Sequence, residues 1–114
     1  MFRLILKSKI HRATVTETKL DYEGSITIDE ELLKRVDILS GERVEVFNLN
    51  NGARFSTYAI KGNKSEICIN GAAARLSHIG DRVIVISYAL TNEEESKSLK
   101  PKIIVLDEKN RVKK

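Results

Sequence analysis

Tryptophan is absent, aromatic residues make up 5% of the chain, and cysteine and proline occur once each. So few rings leave little on which nucleic-acid bases could stack. The single Cys68 cannot close an internal disulfide, which fits a reducing, cytoplasmic setting. No apolar run approaches the roughly 20 residues that span a bilayer. The opening MFRLILKSKI has neither the apolar core nor the small-residue cleavage site of a secretory leader. A cytoplasmic chain with no membrane partner is therefore expected. The phosphate-cradling patterns GxxxxGK(S/T) and GxGxxG are missing. His11 and His78 lack a second His or a Cys at ligand spacing, so no metal is expected. In the run Ile67-Cys68-Ile69, Cys68 reads as a small core residue rather than a nucleophile.

What is present describes one globular domain. The 114 residues are 41% hydrophobic and 32% charged, enough for a single modest core. The net charge of +4 gathers at the ends, with five basic against three acidic residues in 1–24 and six against two in 100–114. The tail KNRVKK reads as a frayed, solvated terminus. That distribution argues only weakly for a polyanion, and no nucleic-acid partner is expected.

Short alternating runs rich in Val, Ile and Thr predict strands over Arg3–Lys9, Ala13–Thr18, Ser25–Ile28, Arg43–Asn48, Arg54–Ile60, Glu66–Asn70, Arg82–Ala89 and Lys102–Asp107. Asn51-Gly52 predicts a hairpin turn between the fourth and fifth. Asp29 is placed to cap a short helix whose buried stripe is Leu32, Leu33 and Val36. Further helical turns fit Ala72–Leu76 and the acidic TNEEESKSL before Pro101. Gly41-Glu42-Arg43-Val44-Glu45-Val46 is echoed by Gly80-Asp81-Arg82-Val83-Ile84-Val85, each following a helical stretch and opening a strand. Two unrelated turns explain the echo as readily as a pseudo-two-fold β fold closed into a barrel.

Polar chemistry is set into these strands. In NGARFSTY, period two puts Arg54, Ser56 and Tyr58 on one face and Phe55 and Thr57 on the other. NGAAAR joins an Asn-Gly turn to small residues opening a helix, where free N–H groups can receive a carboxylate. SKIHR brings Lys9, His11 and Arg12 to a strand end. Taken singly, each has a commoner structural explanation: a solvated edge, a half-buried sheet tyrosine, a tight turn.

Together, SKIHRATVT, YEGSITID, NGARFSTY and NGAAAR follow the order and approximate spacing seen in the pyruvoyl-dependent aspartate 1-decarboxylases, and the chain resembles that family over nearly its whole length. The resemblance implies a mainly β protein, a double-psi β-barrel with a few short helices. It implies a homotetramer with active sites between subunits. The implied function is decarboxylation of L-aspartate to β-alanine and carbon dioxide, which feeds pantothenate and coenzyme A synthesis.

The cofactor would come from the chain. Removing an amino-acid carboxylate leaves electrons on Cα, and no ordinary side chain supplies a carbonyl to receive them. Ser25 attack on the Gly24 carbonyl, followed by elimination, would divide the single domain into residues 1–24 and 25–114, with a pyruvoyl group at residue 25. Gly24, lacking Cβ, would tolerate strained geometry there. The ketone would take aspartate as an imine. By resemblance, Thr57 assists cleavage by bonding the Gly24 carbonyl, with Tyr22 and His11 as further helpers. Arg54, Thr57 and Lys9 would hold substrate together with the Asn70, Gly71, Ala72 and Ala73 turn, and Tyr58 would reprotonate Cα. Two alternatives stay open: a pyruvoyl decarboxylase of another small amino acid, and a non-enzymatic, dimeric β-barrel module that binds DNA.

Overall fold

Alternation along the chain is converted into an inside and an outside. In β4 (Arg43–Asn48), Val44, Val46 and Asn48 are buried while their neighbours are not. The same rhythm recurs in β5 (Arg54–Gly62), where Arg54, Ser56 and Tyr58 face out. A computed structural model describes residues 1–113. Its other strands are β1 (Arg3–Thr14), β2 (Glu17–Lys19), β3 (Ser25–Asp29), β6 (Ile67–Asn70), β7 (Arg82–Thr91) and β8 (Lys102–Val105). Two short helices, α1 (Glu30–Val36) and α2 (Glu93–Ser98), and a 3-10 helix (Gly71–Leu76) complete the fold. No helix among the described residues is long and apolar enough to cross a membrane.

The strand order is β2-β6-β3-β5-β4-β7-β1-β8. Because β1 and β2 are one chain path interrupted only at Val15 and Thr16, the first and seventh positions belong to the same strand. The sheet therefore closes into a six-membered ring, with β8 added outside. The ring has a pseudo-two-fold. Antiparallel β1·β7 corresponds to β5·β4, and parallel β2·β6 to β5·β3, while β4·β7 and β3·β6 join the halves. The repeated Gly-acid turns sit at matching places. The Gly41 N–H donates to the Ala59 carbonyl and the Ala59 N–H to the Glu42 carbonyl, just as Gly80 donates to Val15 and Val15 to Asp81. Both glycines have φ near +93°, a region that side chains with Cβ avoid. Mainly β and double-psi is thus the observed class, and the echo marks its symmetry.

Ile26, Ile28, Ile67 and Ile69 are fully buried on the inner face of the β3·β6 pair, each contributing roughly 1.5–3 kcal/mol. Helix α1 forms as expected: the Asp29 carboxylate accepts from the Glu31 N–H, and Leu32, Leu33 and Val36 are buried. The Asn51-Gly52 hairpin is present, with Gly52 at φ +76°.

Two expectations need correction. Arg3–Lys9 and the start of Ala13–Thr18 form a single strand, because a bulge at His11 and Arg12 (φ 66°) preserves pairing with β7. Nor does the tail KNRVKK fray over its described part. Asn110 is 3% exposed, accepts from the Thr14 N–H at 2.7 Å and donates to the Thr14 and Ser65 carbonyls at 2.9 Å. The Lys113 N–H donates to Val105. One buried asparagine, hidden in a basic run, straps the terminus to β1.

Candidate active site

Antiparallel pairing of β3 with β6 sets Ser25 opposite Asn70 and Thr27 opposite Cys68. Period two then puts these four polar residues on one face and four isoleucines on the other. Ser25 and Asn70 are each 1% exposed. The Asn70 amide nitrogen donates to Ser25 Oγ and Thr27 Oγ1, both at 2.9 Å, and Ser25 Oγ donates to the Glu23 carbonyl at 3.2 Å. The hydroxyl is therefore oriented and buried, one residue from the exposed Gly24.

The neighbouring turn is built to the same loop. Gly71 has φ +74°, and a Cβ there would lie 2.7 Å from Gly24 Cα, 2.8 Å from Gly24 N and 3.0 Å from the Tyr22 carbonyl oxygen. Backbone approach that close requires glycine. Gly24 itself has open space around its missing Cβ and is not in a left-handed conformation. The space at Gly24 leaves it free to take up strain, while the glycine that this geometry demands is Gly71.

Parallel β3·β5 pairing matches Ile26 with Ala59. Extended one step, the register sets Ser25 beside Tyr58; extended two, Gly24 beside Thr57. Tyr58 is 38% exposed on the outer face. No hydrogen bond joins Thr57 to Gly24 among the described residues. The Tyr22 side chain is exposed, with the Lys19 ammonium 5.7 Å from its ring. Ala72 is exposed and Ala73 packs against the core.

Three of the candidates, Lys9, His11 and Arg54, lie elsewhere on the chain. Lys9 pairs with Ile86 of β7 and Ile103 of β8, and His11 pairs with Val105 of β8. Neither β7 nor β8 borders β3. Burial lowers the His11 pKa, and the charges of Lys9, Arg12 and Arg82 lower it further. Arg54 lies four residues before Tyr58, roughly 13 Å along β5 at ~3.3 Å per residue, with its guanidinium 3.9 Å over the Phe47 ring. No carboxylate pairs with it among the described residues, so its charge is free for a ligand. Arg54, Lys9 and His11 thus share the outer side of the β5-β4-β7-β1 wall. A depression of about 570 Å³ opens on that wall between Leu4, Phe47, Ile86 and Tyr88. It does not include Ser25. One chain therefore gathers Gly24, Ser25, Asn70 and Gly71, carries Thr57 and Tyr58 on the adjacent strand β5, and leaves Lys9, His11 and Arg54 apart from them.

Thr27 and Cys68, absent from the sequence-based candidates, complete the polar square. Alternation from Ser25 and from Asn70 would have put both on that face. No cluster of three or more His, Cys, Asp or Glu side chains suited to a metal occurs among the described residues.

Comparison with known proteins places the chain in a family. The aspartate 1-decarboxylase of Thermoanaerobacter pseudethanolicus is 58% identical over 113 residues, covering 97% of each chain. That of Acetivibrio thermocellus is 56% identical over 114 residues, covering 98% of this chain and 90% of its own. That of Campylobacter jejuni is 59% identical over 107 residues, covering 93% and 85%. The family model described as aspartate decarboxylase matches residues 1–113, and the chain belongs to the aspartate decarboxylase family.

Proposed function

We propose that the protein is an aspartate 1-decarboxylase that makes its own pyruvoyl group at residue 25 and releases β-alanine and carbon dioxide from L-aspartate. β-Alanine made this way supplies pantothenate and coenzyme A synthesis. The observation that carries the reading is the buried, doubly hydrogen-bonded Ser25 hydroxyl against a backbone that only Gly71 accommodates. The rival reading, a DNA-binding module, gives no reason for that arrangement.

Ser25 Oγ adds to the Gly24 carbonyl carbon. The Gly24–Ser25 C–N bond breaks, and the hydroxyl proton ends on the freed Ser25 nitrogen. Loss of the Ser25 Cα proton then breaks the Cβ–Oγ bond, releasing Gly24 as a carboxylate at the end of residues 1–24. Tautomerisation and hydrolysis expel ammonia and leave residue 25 as a ketone. Asn70 holds Oγ in place, and Thr57, level with Gly24 by register, has the hydroxyl to stabilise the developing oxyanion. The residues around Ser25 fit such a group: they are small, buried and polar on one face.

Once formed, the pyruvoyl group supplies the electron sink for loss of the α-carboxylate. Tyr58 returns a proton to the substrate Cα. Arg54 holds a substrate carboxylate, Lys9 adds positive charge, and the Asn70–Ala73 turn orients the substrate. Since one chain separates these groups, the site is completed by a second copy in a homo-oligomer, a tetramer by analogy with the family. A monomer in sedimentation at assay concentration would remove that part of the reading.

Intact-mass measurement under denaturing conditions, with carbon dioxide release assayed on aspartate and glutamate, tests the whole. Expected are two chains divided after Gly24, the larger with a blocked N-terminus, and turnover of aspartate over glutamate. Activity from one uncleaved chain would refute the pyruvoyl mechanism. Preference for glutamate would move the enzyme to another substrate. Gly71→Ala pushes a methyl group into the Gly24 backbone at a positive φ, which costs roughly 1–2 kcal/mol for the conformation alone. Cleavage should slow by at least about tenfold, read as the time course of the two masses. An unchanged rate would mean the loop yields freely.

A further inference from the structure

Cys68 is 1% exposed, and the reaction described above does not use it. Its thiol donates to Asn70 Oδ1 at 3.1 Å, while the other end of that amide donates to Ser25 Oγ and Thr27 Oγ1. An asparagine side chain offers an acceptor at one end and a donor at the other, and a half-turn exchanges them. Either hydroxyl could accommodate the exchanged form by turning its own proton toward Asn70. For Ser25 that turn would break the bond to the Glu23 carbonyl. The thiol favours the observed orientation, since its S–H donates to the carbonyl end while sulfur accepts only weakly from the amide end, and the Ser25 bond to the Glu23 carbonyl favours the same orientation. Cys68 and Asn70 are two apart on β6, and Cys68 lies opposite Thr27, so the contact follows from strand geometry.

We propose that Cys68 is a positioning residue for self-cleavage: its S–H fixes the Asn70 amide so that the nitrogen, not the oxygen, faces Ser25 Oγ. Asn70 then occupies one Oγ lone pair, the Oγ proton stays on the Glu23 carbonyl, and the remaining lone pair is left for the Gly24 carbonyl. Burial raises the Cys68 pKa, with Glu17 adding to the effect, so the sulfur keeps its proton across the neutral range. This inference rests on Ser25 being the cleavage nucleophile.

The full chain would be made as wild type, Cys68→Ala, Cys68→Val and Cys68→Ser. Conversion to the two-chain form is followed by intact mass, and each thermal midpoint is recorded. Ala and Val remove the donor, and cleavage should slow about five- to tenfold, the worth of one net hydrogen bond. Ser restores a donor and should cleave within about twofold of wild type, even though a buried hydroxyl leaves the midpoint no higher than that of Val. A purely packing role predicts the reverse order, with Val the best substitute. Ser as slow as Ala, or Ala and Val at the wild-type rate, overturns the proposal. If wild type itself does not divide after Gly24, the parent reading falls instead.

Discussion

Ser25→Ala is expected to leave one uncleaved 114-residue chain that releases no β-alanine above buffer background, a loss on the order of a million-fold or more. The substitution removes a single oxygen from a site already 1% exposed. Folding should be little disturbed, because methyl and hydroxymethyl fill nearly the same space. The local cost is one unsatisfied Asn70 proton, about 1–3 kcal/mol at most, and Thr27 still accepts from that amide. Two functions nevertheless vanish together. Without Oγ there is no nucleophile for the Gly24 carbonyl, and without cleavage there is no ketone. Intact mass and carbon dioxide release on the same preparation check both. Retained decarboxylation by this variant would show that the electron sink lies elsewhere. A cleaved but inactive product would show that the bond is broken by another group.

The barrel was legible in the sequence because its determinants are local and repeated. Asp29, the Leu32–Val36 stripe, Asn51-Gly52 and the two Gly-acid turns each carry a short-range signal, and the matching hydrogen bonds of Gly41 and Gly80 turn the echo into symmetry. The site was legible only in part. The Arg54–Tyr58 face follows from period two, but Ser25 facing Asn70 depends on the β3·β6 register, a long-range pairing that no local pattern encodes. Cys68 was missed for a local reason: its apolar neighbours argued for core packing, although alternation sets its thiol beside the Asn70 amide two residues away. Asn110 escaped for a third reason. Basic runs are usually solvated, and nothing in KNRVKK shows that one asparagine will satisfy three backbone groups of two distant segments. Gly24 and Gly71 differ in a way that only space reveals, since both are simply glycines beside a candidate residue.

Tyr58→Phe should separate the two activities that Ser25→Ala abolishes together. Tyr58 faces outward on β5, and its hydroxyl makes no hydrogen bond to another described residue, so its removal breaks no contact within the chain. Stability should change by less than about 0.5 kcal/mol, as for surface substitutions away from special features. Cleavage after Gly24 should proceed at nearly the wild-type rate, because the steps at Ser25 Oγ need Asn70 and the Gly71 gap rather than a phenol. Turnover should fall roughly 10²- to 10⁴-fold, the usual contribution of a positioned proton donor. The loss should appear in kcat with little change in KM, since the aromatic ring that lines the site is retained. Running the reaction in deuterium oxide adds a check on the same group: β-alanine from the wild type should take up its new hydrogen stereospecifically, and the variant, protonated by water, should lose part of that selectivity. An unchanged kcat would exclude Tyr58 as the donor. A fully processed enzyme that is slow only in turnover would assign it the proton, and would put making the cofactor and using it on different residues of two neighbouring strands.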